Sequence, residues 1–440
     1  MLIEFSVGNF LSFKDPARLS MIATKLVARD PSVDKNNTIL VNEDLTLLTS
    51  AAIYGANASG KSNLIKAMRF MRSIVVSSSK ESQAEEPIRT IPFRLNSANE
   101  GEPSLFEVVF QEDGISYRYG FEVTTEKVET EWLFYSPHGK EAKLFTREGN
   151  QISISRSFTG GARLKTLTRP NALFLSVASQ FNQEIAKKVL RFFRSINMIS
   201  GLNDENYGRF TIAKFTDDLS YRTEIINLVR NSDVGINDLV VKKANIQDPG
   251  VLPTDMPQEL KNLIFKGLKD IDSEEVLSFK GVHLKKCENG EVGEVQFDLD
   301  EESEGTKKLF YLSGPIIDTL RNGKVLVIDE IEARLHTLLT RKLIGLFDSK
   351  ETNPNNAQLI FATHDTNLLT NKIFRRDQLW FVEKDEEGAS HLYSLAELKI
   401  RNDASFGQDY LLGKYGAIPI LGELRQTLDE FSQEHNHEPN

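Results

Sequence analysis

Ala51-Ala-Ile-Tyr54 runs into Gly55-Ala-Asn-Ala-Ser-Gly60-Lys61-Ser62, and then into Asn63-Leu-Ile-Lys-Ala-Met-Arg-Phe-Met-Arg-Ser-Ile-Val-Val76. The first piece is a short apolar run of strand length, and in the third Leu64, Ala67, Met68, Met71 and Val75 recur at helical spacing. Strand, glycine loop, helix is the context in which the spacing G-x-x-x-x-G-K-[ST] cradles phosphates. The glycines let the loop fold into a nest of amide N–H groups, and the following helix offers its positive N-terminus. Lys61 would reach the β- and γ-phosphates, and Ser62 would place its hydroxyl on Mg²⁺. The expected nucleotide contacts are Gly55, Asn57, Ser59, Gly60, Lys61, Ser62 and Asn63, with ATP and Mg²⁺ as cofactors.

Two further strand ends complete the chemistry. Val325-Leu-Val-Ile-Asp329-Glu330 is an apolar run ending in two acids, at the strand end where open α/β sheets bind ligands. Asp329 suits the metal, and Glu330 suits a general base acting on the attacking water. Gln358-Leu-Ile-Phe-Ala-Thr363-His364 is another apolar strand, ending in a histidine one helix and one strand later, so His364 can stand beside Glu330. Upstream, Ser303, Gly305 and Thr306 open the helix that precedes the Asp-Glu strand. A glycine and small hydroxyls at a helix N-terminus form a second anion site. That site makes sense if it closes on nucleotide held by another copy of the chain.

Around these motifs the texture changes along the chain. SLFEVVF, SYRYGFEV and TEWLFY read as antiparallel strands, and EIAKKVLRFFRSI, DDLSYRTEIINLVR and PQELKNLIFKGL read as helices. The expected organisation is an N-terminal lobe over 1–170, a helical insertion over 171–285 and a C-terminal lobe over 286–440. Strands alternating with helices imply an α/β fold with a mostly parallel core sheet, an antiparallel β subdomain and the helical insertion. A helix is expected over Glu332 to Phe347.

With 440 residues, 40% hydrophobic and 26% charged, the chain is of ordinary globular composition. The lone Cys287 and the lack of Cys/His clusters at zinc spacing fit a reducing compartment, so the expected location is the cytoplasm. No apolar run approaches the ~18 residues of a membrane span. A net charge of −10 disfavours a protein that coats DNA as a whole. One stretch is locally basic: between Gln151 and Arg194, Arg156, Arg163, Lys165, Arg169, Lys187, Lys188, Arg191 and Arg194 face a single acid, Glu184. It could follow a phosphate backbone or be a solvated face.

The ordered set VGNFLSFKD, GANASGKSN, EESEGTKKLF, NGKVLVIDEIEARLH, AQLIFATHDT, RRDQLWFVEKD and YLLGKYGAIP resembles the ABC-type ATPases of the SMC, RecF and OLD branch, and within it the RloA-like or abortive-infection ATPases of bacteria. The resemblance implies a P-loop fold of ABC type and an ATP-hydrolysing switch in anti-phage defence. It further implies a homodimer or higher even oligomer sandwiching ATP head to tail, and a separately encoded, nuclease-like effector. In the signature turn Glu304 stands where the superfamily usually has the first of two glycines. Gln83 and Gln111 both lie in stretches suited to a Q-loop glutamine, and Glu332 and His336 would fall in the dimer-facing D-loop. Long coiled-coil arms are absent, against an SMC ring. Beyond His364, Glu383 has no later Asp-x-Asp, against a fused nuclease. The alternative function is a repair or recombination ATPase that clamps DNA; a GTPase is disfavoured because no N-K-x-D guanine reader appears.

Overall fold

The computed structural model describes residues 1–80, 83, 85–137, 139–245, 257–260 and 275–419. Most of the proposed helix PQELKNLIFKGL lies outside them. In chain order come β1 (Leu2–Gly8), β2 (Ala17–Ser20), the short helix α1 (Pro31–Asn36), a hairpin of β3 (Thr38–Leu40) and β4 (Thr46–Leu48), β5 (Ser50–Tyr54) and α2 (Lys61–Ser77). Then follow β6 (Ser104–Glu112), β7 (Ile115–Val123), β8 (Val128–Ser136), β9 (Ala142–Glu148) and β10 (Gln151–Ile154). These five join β1 and β2 in an antiparallel sheet of order β10-β9-β8-β7-β6-β1-β2. The alternation of buried and half-exposed residues along SLFEVVFQE is the pattern of a sheet with one face on a core.

Next are α3 (Phe174–Gln180), α4 (Glu184–Ser195), β11 (Ile196–Ser200), α5 (Glu205–Asp217), α6 (Leu219–Arg230), β12 (Asp238–Asn245), β13 (Glu275–Lys286) and β14 (Val292–Asp298). The chain continues with α7 (Glu304–Asn322), β15 (Val325–Asp329), α8 (Thr337–Phe347), β16 (Gln358–Ala362), β17 (Leu379–Lys384), β18 (Ser390–Ser394) and α9 (Phe406–Leu411). The central sheet has the order β11-β15-β16-β5-β17-β18 and is parallel except between β17 and β18.

β5 and β16 are buried at every residue because both faces of this sheet are covered. Successive side chains point to opposite faces, so each strand feeds two cores. Ala51, Ile53, Val325, Val327, Ile360 and Ala362 pack with α2, α3, α4 and the antiparallel sheet. Ala52, Tyr54, Leu326, Ile328, Leu359 and Phe361 pack with α5, α6, α7 and α8.

The stretch 171–285, expected to be a helical insertion, is of mixed character. α3 and α4 belong to the first core, and β11 pairs in parallel with β15 inside the central sheet. β12 and β13 form an antiparallel sheet with β14, which lies past residue 285. The expected helix over Glu332–Phe347 begins only at Thr337. Glu330 and Arg334 have φ of 54° and 64°, so the chain turns between them in a left-handed conformation that no helix can hold. Among the described residues no helix is long and apolar enough to cross a membrane.

Candidate functional site

The site lies at the C-terminal ends of β5, β15 and β16, which parallel pairing brings side by side. Gly55 to Gly60 bridge the end of β5 and the start of α2, and two residues show why glycine or strain is needed there. Gly60 has φ of 120°, and a Cβ on it would meet the Ser390 and Ser12 hydroxyls. Ala58 has φ of 60°, a left-handed conformation that costs a non-glycine residue about 1 kcal/mol or more. Lys61 is nearly buried, and its ammonium folds back on the loop, donating to the carbonyls of Gly55 at 2.9 Å and Ala56 at 3.0 Å. Burial lowers its pKa to about 8 against the opposing pull of Asp329, Glu332 and Glu330.

Ser62 Oγ donates to Asp329 Oδ1 at 3.2 Å, joining the loop to the end of β15. Glu330 follows in its left-handed conformation, a strained arrangement typical of functional sites. His364 stands exposed just past β16, and its main-chain N–H donates to Glu332 Oε1 at 2.6 Å. Desolvation and the Lys61 ammonium push the imidazole below its ordinary range. Asn63 Nδ2 donates to Ser12 Oγ at 2.8 Å, while Asn57 is exposed at the loop tip.

Ser303, Gly305 and Thr306 sit elsewhere on the same chain. Ser303 caps α7, accepting from the Thr306 N–H at 3.1 Å, and a Cβ on Gly305 would come within 2.9 Å of the Arg334 carbonyl oxygen. Together with Arg334, His336 and Lys342 they line an open cleft of about 830 Å³. No hydrogen bond among the described residues joins this turn to the glycine loop.

Three residues of the site, Ser390, Ser12 and Gly201, were not singled out from the sequence, and a fourth, Glu332, was named without its contact to His364. Ser390 donates to Ser59 O at 2.5 Å and, through Ser12, holds the back of the glycine loop. Ser12 lies within VGNFLSFKD, a stretch noticed only as a block. Glu332 accepts from the main-chain N–H of His364, and its Oε2 is buried without a partner among the described residues. Gly201 donates its N–H to Asp329 O at 2.6 Å; nothing in the sequence around it points there.

The residues fit a nucleotide with Mg²⁺. Ser59 Oγ is buried inside the loop without a hydrogen-bond partner among the described residues, and Lys61 gives two of its N–H groups to carbonyls where an anion would serve better. Among the described residues no group of three or more His, Cys, Asp or Glu could hold a metal by itself. One hydroxyl and one carboxylate in contact suit Mg²⁺, which takes few protein ligands and completes its shell with phosphates and water.

The basic stretch does not stand alone. The β6–β7 hairpin brings Asp113 within 3.3 Å of Lys188 and 3.6 Å of Arg191, Glu112 lies 3.7 Å from Arg191, and Lys187 pairs with Glu184. The excess positive charge counted along the chain is therefore partly neutralised in space.

No curated protein matches the chain. Among solved structures, an SMC head bound to the C-terminal winged-helix domain of ScpA aligns over 89% of this chain and 97% of its own, at 12% identity and a TM-score of 0.40. The protein cbiO1 of Clostridium perfringens, part of the ABC transporter complex cbiONQ, aligns over 84% and 83%, at 11% identity and a TM-score of 0.26. A family model described as "AAA domain, putative AbiEii toxin, Type IV TA system" matches residues 50–370, from the first residue of β5 to beyond His364. That match spans well over half of the sequence and includes every strand end that builds the site, and the chain belongs to this AAA-domain family.

Proposed function

We propose that the protein binds ATP with Mg²⁺ and hydrolyses it, as the switch of a bacterial anti-phage defence system that controls a separately encoded, nuclease-like effector. The observation that carries the ATPase reading is the 3.2 Å contact of Ser62 Oγ with Asp329 Oδ1, which brings together the loop and the acid strand that one metal would need. The defence role and the effector rest on the family and on the resemblance of the motifs.

In this reading the amides of Gly55 to Lys61 cradle the phosphates, and Lys61 leaves the loop carbonyls to neutralise charge on the β- and γ-phosphates. Ser62 and Asp329 would hold Mg²⁺, which would supply positive charge against the phosphates when bound. Glu330 orients the attacking water and accepts its proton. His364, whose pKa desolvation and the Lys61 ammonium lower in the free chain, hydrogen-bonds the γ-phosphate. Ser303, Gly305 and Thr306 act on nucleotide held by a second copy, in a head-to-tail dimer or higher even oligomer. The open cleft beside them supports this, because it leaves the turn accessible to a partner. The reading as a DNA clamp is the weaker one, since acids face Lys188 and Arg191.

The test is Mg²⁺-dependent ATP turnover. Lys61→Ala should lower kcat by about 10²-fold or more. Glu330→Gln should keep ATP affinity, lose about 10²-fold or more in turnover, and accumulate as an ATP-bound dimer in light scattering. Unchanged turnover in Lys61→Ala would remove the assignment.

A further inference from the structure

Lys308 lies in the second turn of α7, five residues after Ser303, and its side chain is fully buried. A buried ammonium needs a partner for each of its three N–H groups. Lys308 has three: the carbonyl oxygen of Gly201, Asp204 Oδ1 at 3.2 Å and the Tyr207 hydroxyl at 2.7 Å. Tyr207 in turn donates to Asp204. Such a set is expensive to bury and is not needed for solubility, so what it fixes is informative.

What it fixes is Gly201. The Gly201 N–H bonds Asp329 O at 2.6 Å, and the residue is packed so tightly on the next peptide that a Cβ would be driven into the Glu330 carbonyl oxygen. One glycine thus touches the peptide that aims the Glu330 side chain, and its carbonyl is gripped by a lysine of the signature helix. A second arm closes the circuit. Arg334, four residues after Glu330, pairs with Asp204 at 3.2 Å and Glu304 at 3.1 Å, and its carbonyl oxygen lies against Gly305.

We propose that Lys308 is a positioning residue for Glu330: through Gly201 it clamps the left-handed Glu330 peptide to the first turns of α7, so that the acid and the Ser303–Thr306 turn move as one body. The inference rests on the reading of Glu330 as general base. The consequence goes beyond it: a change at the turn, caused by a partner, reaches the acid of the same chain without crossing the nucleotide.

The experiment has two arms, both on the full chain. In the first, ATP turnover and equilibrium Mg-ATP affinity are measured for wild type, Lys308→Met, Gly201→Ala and the double variant. Each single change should lower kcat about tenfold or more with affinity held within about threefold, because the acid is misaimed while the loop is untouched. The double variant should lose no more than the worse single, since both cut one strut. In the second arm, hydrogen exchange read by mass spectrometry should speed up in Lys308→Met at the peptides covering Gly201 and Asp329–Ile331, and stay unchanged at 55–65. Losses that multiply in the double, a fall in affinity equal to the fall in kcat, or unchanged exchange around Gly201 would each overturn the proposal. Should Lys308→Met fail to fold, Asp204→Asn, which keeps shape and removes the charge, carries both arms, and wild-type turnover or exchange in it overturns the proposal. An inactive wild type would defeat the ATPase reading alone, and the exchange arm would still decide the clamp.

Discussion

Nucleotide affinity should weaken as pH rises through about 8, because the Lys61 ammonium is already close to losing its proton in the nucleotide-free chain. The direction follows from linkage. Burial lowers the pKa of the free protein, a bound polyphosphate must raise it again, and binding therefore takes up a proton wherever the free lysine is neutral. With a pKa of about 8, the charged fraction falls from about three quarters at about pH 7.5 to about 3% at about pH 9.5, so affinity should fall ~25-fold across that window. The phosphates do not contribute, since the last proton of a phosphate group leaves near pH 6. Titration of a fluorescent ATP analogue with Mg²⁺ at the two pH values measures the ratio, and calorimetry in buffers of different ionisation enthalpy counts the proton directly. Lys61→Arg is the control, because a guanidinium stays charged throughout and its profile should be flat. A change of less than about threefold in wild type, or the same decline in Lys61→Arg, would refute the reasoning.

Action in trans predicts complementation. Gly305→Asp sets a Cβ against Arg334 O and a carboxylate toward the partner's phosphate, so it should abolish turnover while leaving nucleotide binding intact. Mixed one to one with Lys61→Ala, exchanging subunits should recover about a quarter of wild-type turnover, from the one intact composite site in each mixed dimer; none at any ratio would argue against the head-to-tail pair. On the basic face, Lys188→Glu with Arg191→Glu should lower the melting temperature by a few degrees, as acids then meet Asp113 and Glu112, and leave turnover within about twofold. Salt-sensitive duplex DNA binding that this double change abolishes would reopen the DNA-clamp reading.

What could be read in the sequence was whatever depends on near neighbours. The glycine loop, the Asp-Glu strand end and the strand before His364 each combine an apolar run with a chemical terminus, and each run is a strand of the central sheet. The stripe in Glu304–Leu320 marks α7 for the same reason. Failures fall where a distant partner decides. Ile196–Ser200 follows α4 without a turn residue, so its letters prolong the helical pattern, and only pairing with β15 makes it a strand. Within the expected helical stretch, α3 is fixed from outside: Glu131 accepts the Phe174 and Leu175 N–H groups of its first turn. α8 hides its start because the N-cap is His336, whose Nδ1 accepts from Leu338, rather than a serine or aspartate. Lys308, Gly201 and Asp204 carry no local signal; their meaning is the meeting of two segments, Gly201–Asp204 and the start of α7, which lie 107 and 104 residues apart along the bonds that join them.

The strand order of the central sheet also sets a clock. β5 carries the glycine loop, yet it is walled by β16 and β17, and Gln378 reaches back across 328 residues to hold Ser50. Loops of that length close late, and parallel pairing gives no local foothold. At about 5–20 residues per second of synthesis, roughly 15–65 s separate the emergence of the loop from that of its last neighbour. During that interval the antiparallel hairpins of β6 to β10 can already form, because their partners are adjacent in the chain. A nascent chain would therefore be folded in one half while the glycine loop of the other still lacked the strands that wall it in, and nucleotide binding would wait for β17.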